Sequence, residues 1–303
     1  MKTETSDIAE RYLIPRTYDS AARTDGKLHF FFMAGEGFPA NPGGNNPEKW
    51  GDSCVAVFPN GQVILIDTGM PAYAPVLLEN LRRLGVTHLD HLILTHQHDD
   101  HTGAVYAPDG LLDHFKVSQG WWSGTYNGNW HDPQMLDKIF AAHHVPFQPL
   151  FEGASLQIGE SSIRILSPAR DGETSCRDTE GINDTSIVLK IVYHSFSALF
   201  TGDIHPQKEN ELIRKYGDSL RADLLKMPHH GNNTSVSDLL PETVRPKIAA
   251  ATGWECVTDI MEKHYRKTGT VILTDLLNGY IHISTDGENI YWETSRQMTD
   301  RSE

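Results

Sequence analysis

Four potential metal ligands lie within six residues in segment 95–103, which reads THQHDDHTG. His96, His98, Asp100 and His101 directly follow the apolar stretch LDHLIL, which predicts a buried strand. Neutral imidazoles and carboxylates are good ligands for zinc and similar divalent ions, and they are poor residues for packing. His96 and His98, two apart in an extended loop, can point toward one ion. Asp100 and His101, beyond a turn, can face a second ion; the alternative is a polar solvated loop.

Two further segments carry polar residues at the ends of predicted strands. Asp203 follows the apolar run SALF, and His229 and His230 follow ADLLKMP. As a carboxylate, Asp203 is a further potential ligand of divalent ions. A water shared by such ions loses a proton near neutral pH and becomes a hydroxide nucleophile. The alternative for Asp203 is a turn residue that caps the following helix.

His229 and His230 are adjacent, so their side chains are expected to diverge in an extended segment. We predict that one ligates metal and that the other hydrogen-bonds the leaving group or the substrate. The sequence does not decide between them, and His229 is slightly preferred as the ligand. Two structural histidines after a strand are the alternative.

An aromatic segment, 120–130, reads GWWSGTYNGNW and is more typical of a recognition loop than of a core strand. Trp121, Trp122, Tyr126 and Trp130 are candidates for stacking on a substrate base or ring. They could also cage a quaternary ammonium by cation–π attraction. Tryptophans that pack over a sheet are the alternative, and the pattern favours it.

Strands and helices that could position these residues alternate along the chain. Residues 28–34 predict a strand, and SCVAVFP and QVILID predict a hairpin whose Asn60-Gly61 pair suits a type I′ turn. Residues 35–51 predict a loop at the edge of the site. A helix predicted over 74–85 ends at Gly85. Further predicted strands are SIRILS, SIVLKIVYH, SALFTG, ADLLKMP, KIAAAT, TVILTD, YIHIST and NIYWET, and further predicted helices cover 134–143, 206–216, 235–240 and 257–267. Hairpins followed by strand–helix alternation occur twice, which predicts two packed sheets with outer helices in one domain.

The composition of the 303 residues narrows the class of protein. A formal net charge of −14 disfavours broad nucleic-acid binding. Three widely spaced cysteines give no disulfide framework and no CxxC zinc pattern, which indicates a reducing cytoplasm. The N-terminus does not resemble a signal peptide, and no stretch approaches the ~18 to 20 apolar residues of a spanning helix. We expect a soluble, cytoplasmic protein with a small-molecule substrate; its oligomeric state is not indicated.

The segment THQHDDHTG is similar to the HxHxDH signature of the metallo-β-lactamase superfamily. Asp67 in LIDTG and Asp203 resemble two strand-end aspartates of that family, and the second of these bridges the two ions. The resemblance extends from about residue 28 to about residue 294. It implies an α/β (α+β) fold, a four-layer αββα sandwich, with residues 1–27 as an N-terminal extension and 28–303 as a single hydrolase domain.

A closer resemblance links the chain to the soluble hydrolase domain of ComEC-type DNA-uptake channels and to the related teichoic-acid phosphorylcholine esterases. In that subgroup His-His-Gly follows the bridging aspartate by one helix and one strand, as His229-His230-Gly231 do here. The resemblance implies a free-standing binuclear hydrolase of a phosphodiester or other phosphoester. Zinc is the first-choice metal, with manganese or iron as alternatives. The implied ligands are His96, His98 and Asp203 for one ion, and Asp100, His101, Asp203 and His229 or His230 for the other.

Two departures from the family pattern bear on the substrate and the ligand count. The superfamily usually has a histidine where residues 181–186 read GINDTS, and ComEC-like members also have Asn there. Asn183 or Asp184 is a weak ligand, a substrate contact or a turn former. The GHP histidine of the subgroup is also missing from residues 252–267, where His264 lies within a predicted helix.

The catalytic candidates are therefore Asp100, His230 and Asn183, with His230 assisting the departing oxygen if it is not a ligand. Hydrolysis of a lactam, lactone or thioester on the same metals is the runner-up activity; the missing mid-chain histidine and the His-His-Gly segment argue against it. A metal-binding sensor or scaffold without catalysis is the alternative from another class. The presence of Asp100, His101 and Asp203 argues against that alternative.

Overall fold

The computed structural model describes residues 13–14, 25–33, 51–172, 174–232, 239–252 and 259–295. The strands in these ranges are β1 (Leu28–Phe32), β2 (Cys54–Val57), β3 (Val63–Ile66), β4 (His88–Leu94), β5 (Lys116–Trp122), β6 (Tyr126–Asn127), β7 (Phe147–Pro149), β8 (Ser155–Ile158), β9 (Ser161–Ser167), β10 (Ser175–Cys176), β11 (Val188–Tyr193), β12 (Phe196–Phe200), β13 (Leu224–Lys226), β14 (Ile248–Ala251), β15 (Val271–Thr274), β16 (Ile281–Thr285) and β17 (Ile290–Thr294). The α-helices are α1 (Ala74–Arg83), α2 (Asp99–Tyr106), α3 (Leu111–His114), α4 (Met135–Ala142), α5 (Thr179–Asp184), α6 (Pro206–Tyr216), α7 (Leu239–Val244), α8 (Asp259–Lys267) and α9 (Asp275–Asn278).

Two large sheets form the centre of the fold. The first has the strand order β17-β16-β1-β2-β3-β4-β5-β7, and the second has the order β15-β14-β13-β12-β11-β9-β8. Strands β3, β4, β5 and β7 run parallel in the first sheet, and β12 to β15 run parallel in the second. Because the carboxyl ends of parallel strands meet at one edge, each sheet gathers the loops that follow these strands.

Side chains that alternate along the strands give each sheet two apolar faces. Phe30 and Ile64 of the first sheet face Ile191 and Phe200 of the second, and together they form the core between the sheets. The opposite face of the first sheet packs against α1 to α4, and the opposite face of the second packs against α6 to α8. The order of layers is therefore helix, sheet, sheet, helix, which confirms the predicted four-layer αββα sandwich.

The β2–β3 hairpin is present, but its turn differs from the predicted type I′ turn. Gly61 has a positive φ of 84°, whereas Asn60 does not. The N–H of Gly61 donates to the carbonyl of Phe58. Pro59 fixes φ near −65°, which suits the first central position of a type I turn and not the positive φ of type I′. The connection is therefore a three-residue loop that ends in Gly61.

One helix in the ligand-rich segment is absent from the sequence-based prediction. Asp100 and His101 lie in α2, which begins at Asp99. Acidic residues in the first turn favour this start, since they interact well with the helix dipole. The segment predicted as a recognition loop begins as a core strand, because β5 continues to Trp122 and pairs with β4.

Parts of other predictions lie outside the described residues. This holds for most of the loop predicted over 35–51, for most of the extension predicted over 1–27 and for 235–238 of one predicted helix. Leu13 and Ile14 are described and are buried against the helical side of the first sheet. No helix in the described ranges is long and apolar enough to cross a membrane.

Candidate metal centre

The ends of parallel strands from both sheets meet at one place. Asp67 follows β3 and His96 follows β4 in the first sheet, while Asp203 follows β12 and His230 follows β13 in the second. The strands pair in register up to these ends, with Ile66 beside Ile93 in the first sheet. Residues that are far apart in sequence are therefore brought together between the carboxyl ends of the strands.

Two imidazoles converge on one oxygen of Asp203. The Nε2 atom of His101 lies 3.1 Å from Asp203 Oδ2, and the Nε2 atom of His230 lies 3.2 Å from the same oxygen. Asp100 Oδ2 lies 3.2 Å from His230 Nε2. All four residues are buried. A cation bound at this point could be coordinated by two imidazole nitrogens and two carboxylates.

A second pair of histidines lies beside this cluster. His96 Nε2 lies 3.0 Å from His98 Nδ1 and 4.0 Å from Asp203 Oδ2. Asp203 is therefore the residue that both groups approach. The structure brings His96, His98, Asp100, His101 and Asp203 into one site.

The charged groups packed into the cluster shift one another's pKa values. Burial opposes protonation of His101 and His230, but Asp203 and other carboxylates outweigh it and raise the pKa of both imidazoles well above the usual value. Burial would raise the pKa of Asp203, but His101 and His230 hold it well below the usual range. The carboxylates around His101 and His230 therefore favour positive charge at this point of the site.

The residues present fit a metal ion. Among the described residues, Asp203 Oδ1 is a buried carboxylate oxygen without a hydrogen-bond partner. Buried polar atoms are nearly always satisfied, so such an orphaned ligand atom indicates a missing partner. Potential ligand atoms of Asp52, His101, Asp203 and His230 all lie within 4.8 Å of one another.

Asp67 contacts the ring nitrogen of His101 that faces away from Asp203. Its Oδ2 lies 2.8 Å from Nδ1 of His101, so the opposite nitrogen of the ring faces Asp203. Asp67 also accepts hydrogen bonds from the backbone and the hydroxyl of Thr95. Burial is the largest influence on Asp67 and raises its pKa despite the histidine beside it. The arrangement is the carboxylate–histidine pair that orients ligands in many metal sites.

The structure distinguishes His229 from His230 in a way that the sequence does not. His230 is 1% exposed and lies in the cluster, whereas His229 Nε2 lies 3.9 Å from Asp203 Oδ2 at the cavity wall. His230, and not the slightly preferred His229, is therefore the histidine placed to be a ligand. The two residues are not in extended backbone either: both have left-handed φ values, 45° and 59°. Burial lowers the pKa of His229 to about 4, so its imidazole is neutral near pH 7.

Asn183 and Asp184 have different environments. Asn183 is 3% exposed, lines the same cavity as Asp203 and His229, and its Oδ1 has no hydrogen-bond partner within the described part of the chain. Asp184 instead accepts a hydrogen bond from the backbone N–H of His205 at the start of α6. Asp184 therefore holds the residue before α6, and Asn183 faces the site.

A cavity of about 440 Å³ opens beside the cluster, and the aromatic candidates divide around it. Trp130 lines the cavity, whereas Trp122 is buried and stacks on Phe147 with a centroid separation of 5.7 Å. Trp121 packs against the core between the sheets, and Tyr126 packs against the core on the helical side. Of the four aromatic candidates, only Trp130 is placed to contact a substrate in this cavity, because β5 and β6 direct the other three into the cores.

A hydrogen-bonded bridge connects Trp130 to the ligand-rich segment. Gln97 Oε1 accepts from the backbone N–H of Asn127, and Asn127 Nδ2 donates to the carbonyl of Gln97. The N–H of Trp130 in turn donates to the carbonyl of Asn127. The loop that carries Trp130 is therefore held in place by the residue between His96 and His98.

Sequence reasoning missed Asp52, which is 4% exposed and lies behind His230. It also missed Lys226 and Thr252, which contact Asp52. The available signal was a charged residue two positions before the apolar strand β2, and a lysine within the otherwise apolar LLKMP. Neither is informative until the two sheets are brought together.

Comparisons with known proteins agree with this geometry. Residues 49–251 match the family described as "Metallo-beta-lactamase superfamily". The chain is 28% identical over 222 residues to "Competence protein ComA" of Neisseria gonorrhoeae, covering 71% of this chain and 28% of that protein. It is 30% identical over 176 residues to "ComE operon protein 3" of Bacillus subtilis, covering 57% of this chain and 21% of that protein. These matches confirm the resemblance to the ComEC-type domain, although the chain spans less than a third of either relative.

Solved structures show the same fold. The metallo-β-lactamase fold protein YhfI from Bacillus subtilis superimposes with a TM-score of 0.52 at 13% sequence identity, covering 88% of this chain and 99% of that one. A CmlA β-hydroxylase E377D mutant superimposes with a TM-score of 0.51 at 16% identity, covering 93% and 59%. At these identities the similarity concerns the fold and not the substrate.

Proposed function

Because this chain belongs to the metallo-β-lactamase superfamily, whose members are generally metal-dependent hydrolases, we propose that it hydrolyses a phosphodiester or another phosphoester with two divalent ions, zinc first. The observation that carries the proposal is the convergence of His101 Nε2 and His230 Nε2 on Asp203 Oδ2, next to a cavity large enough for a small substrate. Such convergence of buried titratable groups in a cleft is typical of a catalytic site.

The residues divide into two ligand groups. His96, His98 and Asp203 would hold one ion, and Asp100, His101, Asp203 and His230 would hold the other. Bound divalent ions would supply a nucleophile at neutral pH by acidifying a water, and would stabilise negative charge on the substrate. Asp67 keeps His101 oriented for this task.

The residues that line the cavity are suited to binding a polar substrate. Asn127, Asn129, Asn183 and His229 line it with hydrogen-bonding groups, and Trp130 adds an aromatic face. Neutral His229 can donate one N–H to a departing oxygen, while Asn183 can bind a substrate group with its amide. An acyl chain of a lactone or thioester would favour a more apolar wall. The cavity therefore supports a phosphoester over the acyl substrates.

The test is metal analysis of the purified protein coupled to a substrate panel. We expect turnover of bis-p-nitrophenyl phosphate, p-nitrophenyl phosphorylcholine or a cyclic nucleotide, and none of nitrocefin or an acyl lactone. Asp203→Asn is expected to lower turnover by at least ~100-fold, because changes to outer-shell partners alone cost up to that much.

Asp223→Asn is the matched control. Asp223 lies directly before the first residue of β13, at the end of the strand opposite to His230. It forms an ion pair with Lys247 at 2.8 Å and lies outside the cluster. Its variant is expected to retain wild-type turnover. Hydrolysis of the lactam or lactone alone would overturn the phosphoester proposal. Undiminished turnover in Asp203→Asn would overturn the two-metal arrangement for any substrate.

A further inference from the structure

A buried ion pair lies directly behind His230. Asp52 and Lys226 are each 4% exposed, and Asp52 Oδ2 lies 2.7 Å from Lys226 Nζ. The other oxygen, Oδ1, lies 3.2 Å from Nδ1 of His230 and also accepts a hydrogen bond from the Thr252 hydroxyl. We propose that Asp52, held by Lys226, is a positioning residue that fixes the tautomer and orientation of His230 for ion binding. The inference rests on the proposed metal centre.

The surroundings of the His230 ring determine where its proton lies. Nδ1 faces two acceptors, the Asp52 carboxylate at 3.2 Å and the carbonyl of Thr252 at 2.8 Å. With an ion bound on the Nε2 side of the ring, these two acceptors would hold the proton of the neutral imidazole on Nδ1. The Nε2 lone pair then faces Asp100 and Asp203, where a ligand is needed.

Asp52 acts through His230 and not as a ligand of the same ion. Asp52 contacts Nδ1 of His230, which is the nitrogen opposite to the one that faces Asp100 and Asp203. Its remaining oxygen is occupied by the ammonium of Lys226, and a second cation on the same carboxylate would be repelled.

The backbone around Asp52 also positions a second ligand. The N–H of Asp52 donates to the carbonyl of Asp100 at 2.9 Å. A Cβ on Gly51 would lie 1.9 Å from that carbonyl oxygen, and Gly51 has a positive φ of 74°, so only glycine permits this approach. The segment 51–52 therefore supports both Asp100 and His230.

The experiment is a titration of the metal-free protein with Co²⁺, followed by the visible spectrum and by competition with a chelator. In Asp52→Asn an amide can donate to Nδ1, so the ring can move its proton to Nε2 and lose its ligand lone pair. We expect one Co²⁺ to bind as in the wild type and the other to bind ~10–100-fold more weakly with an altered spectrum. Asp223→Asn, the matched ion-paired control, should bind both ions as the wild type does.

A double-mutant cycle separates positioning from a general loss of structure. In a His230→Gln background, Asp52→Asn should cause no further loss of affinity, because its effect requires the ring. Ring nitrogen NMR of zinc-loaded wild-type protein needs no variant, and it should show His230 protonated at Nδ1. A proton on Nε2, unchanged affinities in folded Asp52→Asn, or additive effects in the cycle would each overturn the inference. A wild-type protein that binds no metal would instead overturn the proposed function.

Discussion

At the scale of single residues, the site depends on which nitrogen of each imidazole faces the shared carboxylate. Asp67 holds Nδ1 of His101, so the Nε2 atom of that ring points to Asp203. His96 differs, because burial and the nearby histidines lower its pKa well below the usual value. A neutral imidazole can accept a cation directly, whereas a protonated one must first release its proton.

Asn183 offers a separate test of the cavity at this scale. Its buried Oδ1 lacks a partner within the described residues and lies in the wall shared with His229. We predict that Asn183→Ala lowers kcat/KM for the best substrate by roughly 10–100-fold, because a substrate group loses a hydrogen bond to a buried amide. Steady-state kinetics with metal analysis would measure this.

The matched control is Asn129→Ala, since Asn129 lines the same cavity but donates its side-chain N–H to the carbonyl of Arg177. We expect the smaller kinetic change in this variant. Equal kcat/KM in Asn183→Ala and the wild type would show that Asn183 is only a turn former.

Most of the ligand residues could be predicted from sequence because they are concentrated in one short segment after an apolar strand. Asp52 and Lys226 could not, because each is a single charged residue and their pairing depends on how two sheets pack. The choice between His229 and His230 also required the structure. Both adopt left-handed backbone, which periodicity does not reveal.

At the scale of elements, β1 and β16 each contribute one histidine to a hydrogen-bonded pair that lies away from the metal centre. His29 Nδ1 lies 3.0 Å from His282 Nε2, while the outer nitrogens contact Asp25 at 3.0 Å and Glu293 at 2.9 Å. The His282 ring also stacks on Phe31 with a centroid separation of 4.3 Å. The chain of contacts connects the segment before β1 to the edge strand β17.

This pair gives the fold a pH dependence of predictable sign. Burial is the largest influence on His282 and, with His29 beside it, lowers its pKa to about 3. The unfolded chain takes up a proton below the ordinary value of ~6.5, so stability is present above that pH and is lost as the pH falls. The free energy of unfolding of the wild type should therefore fall more steeply from pH 7 to pH 5 than that of His282→Gln. The difference is limited to about 1.4 kcal/mol per pH unit for one proton.

Urea denaturation of both proteins in the presence of chelator would measure the two slopes without a contribution from bound metal. The charged or titratable groups facing His282 are His29 and Glu293, with Asp25 and Lys27 nearby. Parallel pH profiles for the two proteins would contradict the burial argument.

Helices and strands with a clear apolar pattern are easier to predict from sequence than those without one. Long apolar runs such as β4 and the amphipathic α1 were predicted with small errors at their ends. The short helix α2 was not, because it begins among polar ligand residues and has little apolar periodicity. Gly120 and two tryptophans suggested a loop, yet Gly120 lies where a Cβ would be 2.4 Å from Phe140, so the core itself requires glycine there.

At the scale of the whole molecule, the candidate centre connects the two sheets. His96, His98, Asp100 and His101 follow a strand of the first sheet, whereas Asp203 and His230 follow strands of the second. Bound ions would therefore hold the two sheets together at one edge and stabilise the folded state by mass action.

Removal of metal should accordingly lower the thermal midpoint. With free metal at ~100 times its Kd, binding contributes about 2.7 kcal/mol, which corresponds to roughly 5 °C in a protein of this size. Differential scanning fluorimetry with and without chelator would measure the change, and Asp203→Asn should respond much less than the wild type. Identical midpoints with and without chelator in the wild type would show that the ions do not bind the folded state.

The most direct measurement is anomalous X-ray diffraction at the zinc edge from crystals of zinc-loaded protein. Two peaks are predicted on either side of Asp203, one beside His96 and His98 and the other enclosed by Asp100, His101 and His230. A density map without a peak at Asp203, or with ions bound only elsewhere on the chain, would contradict the account.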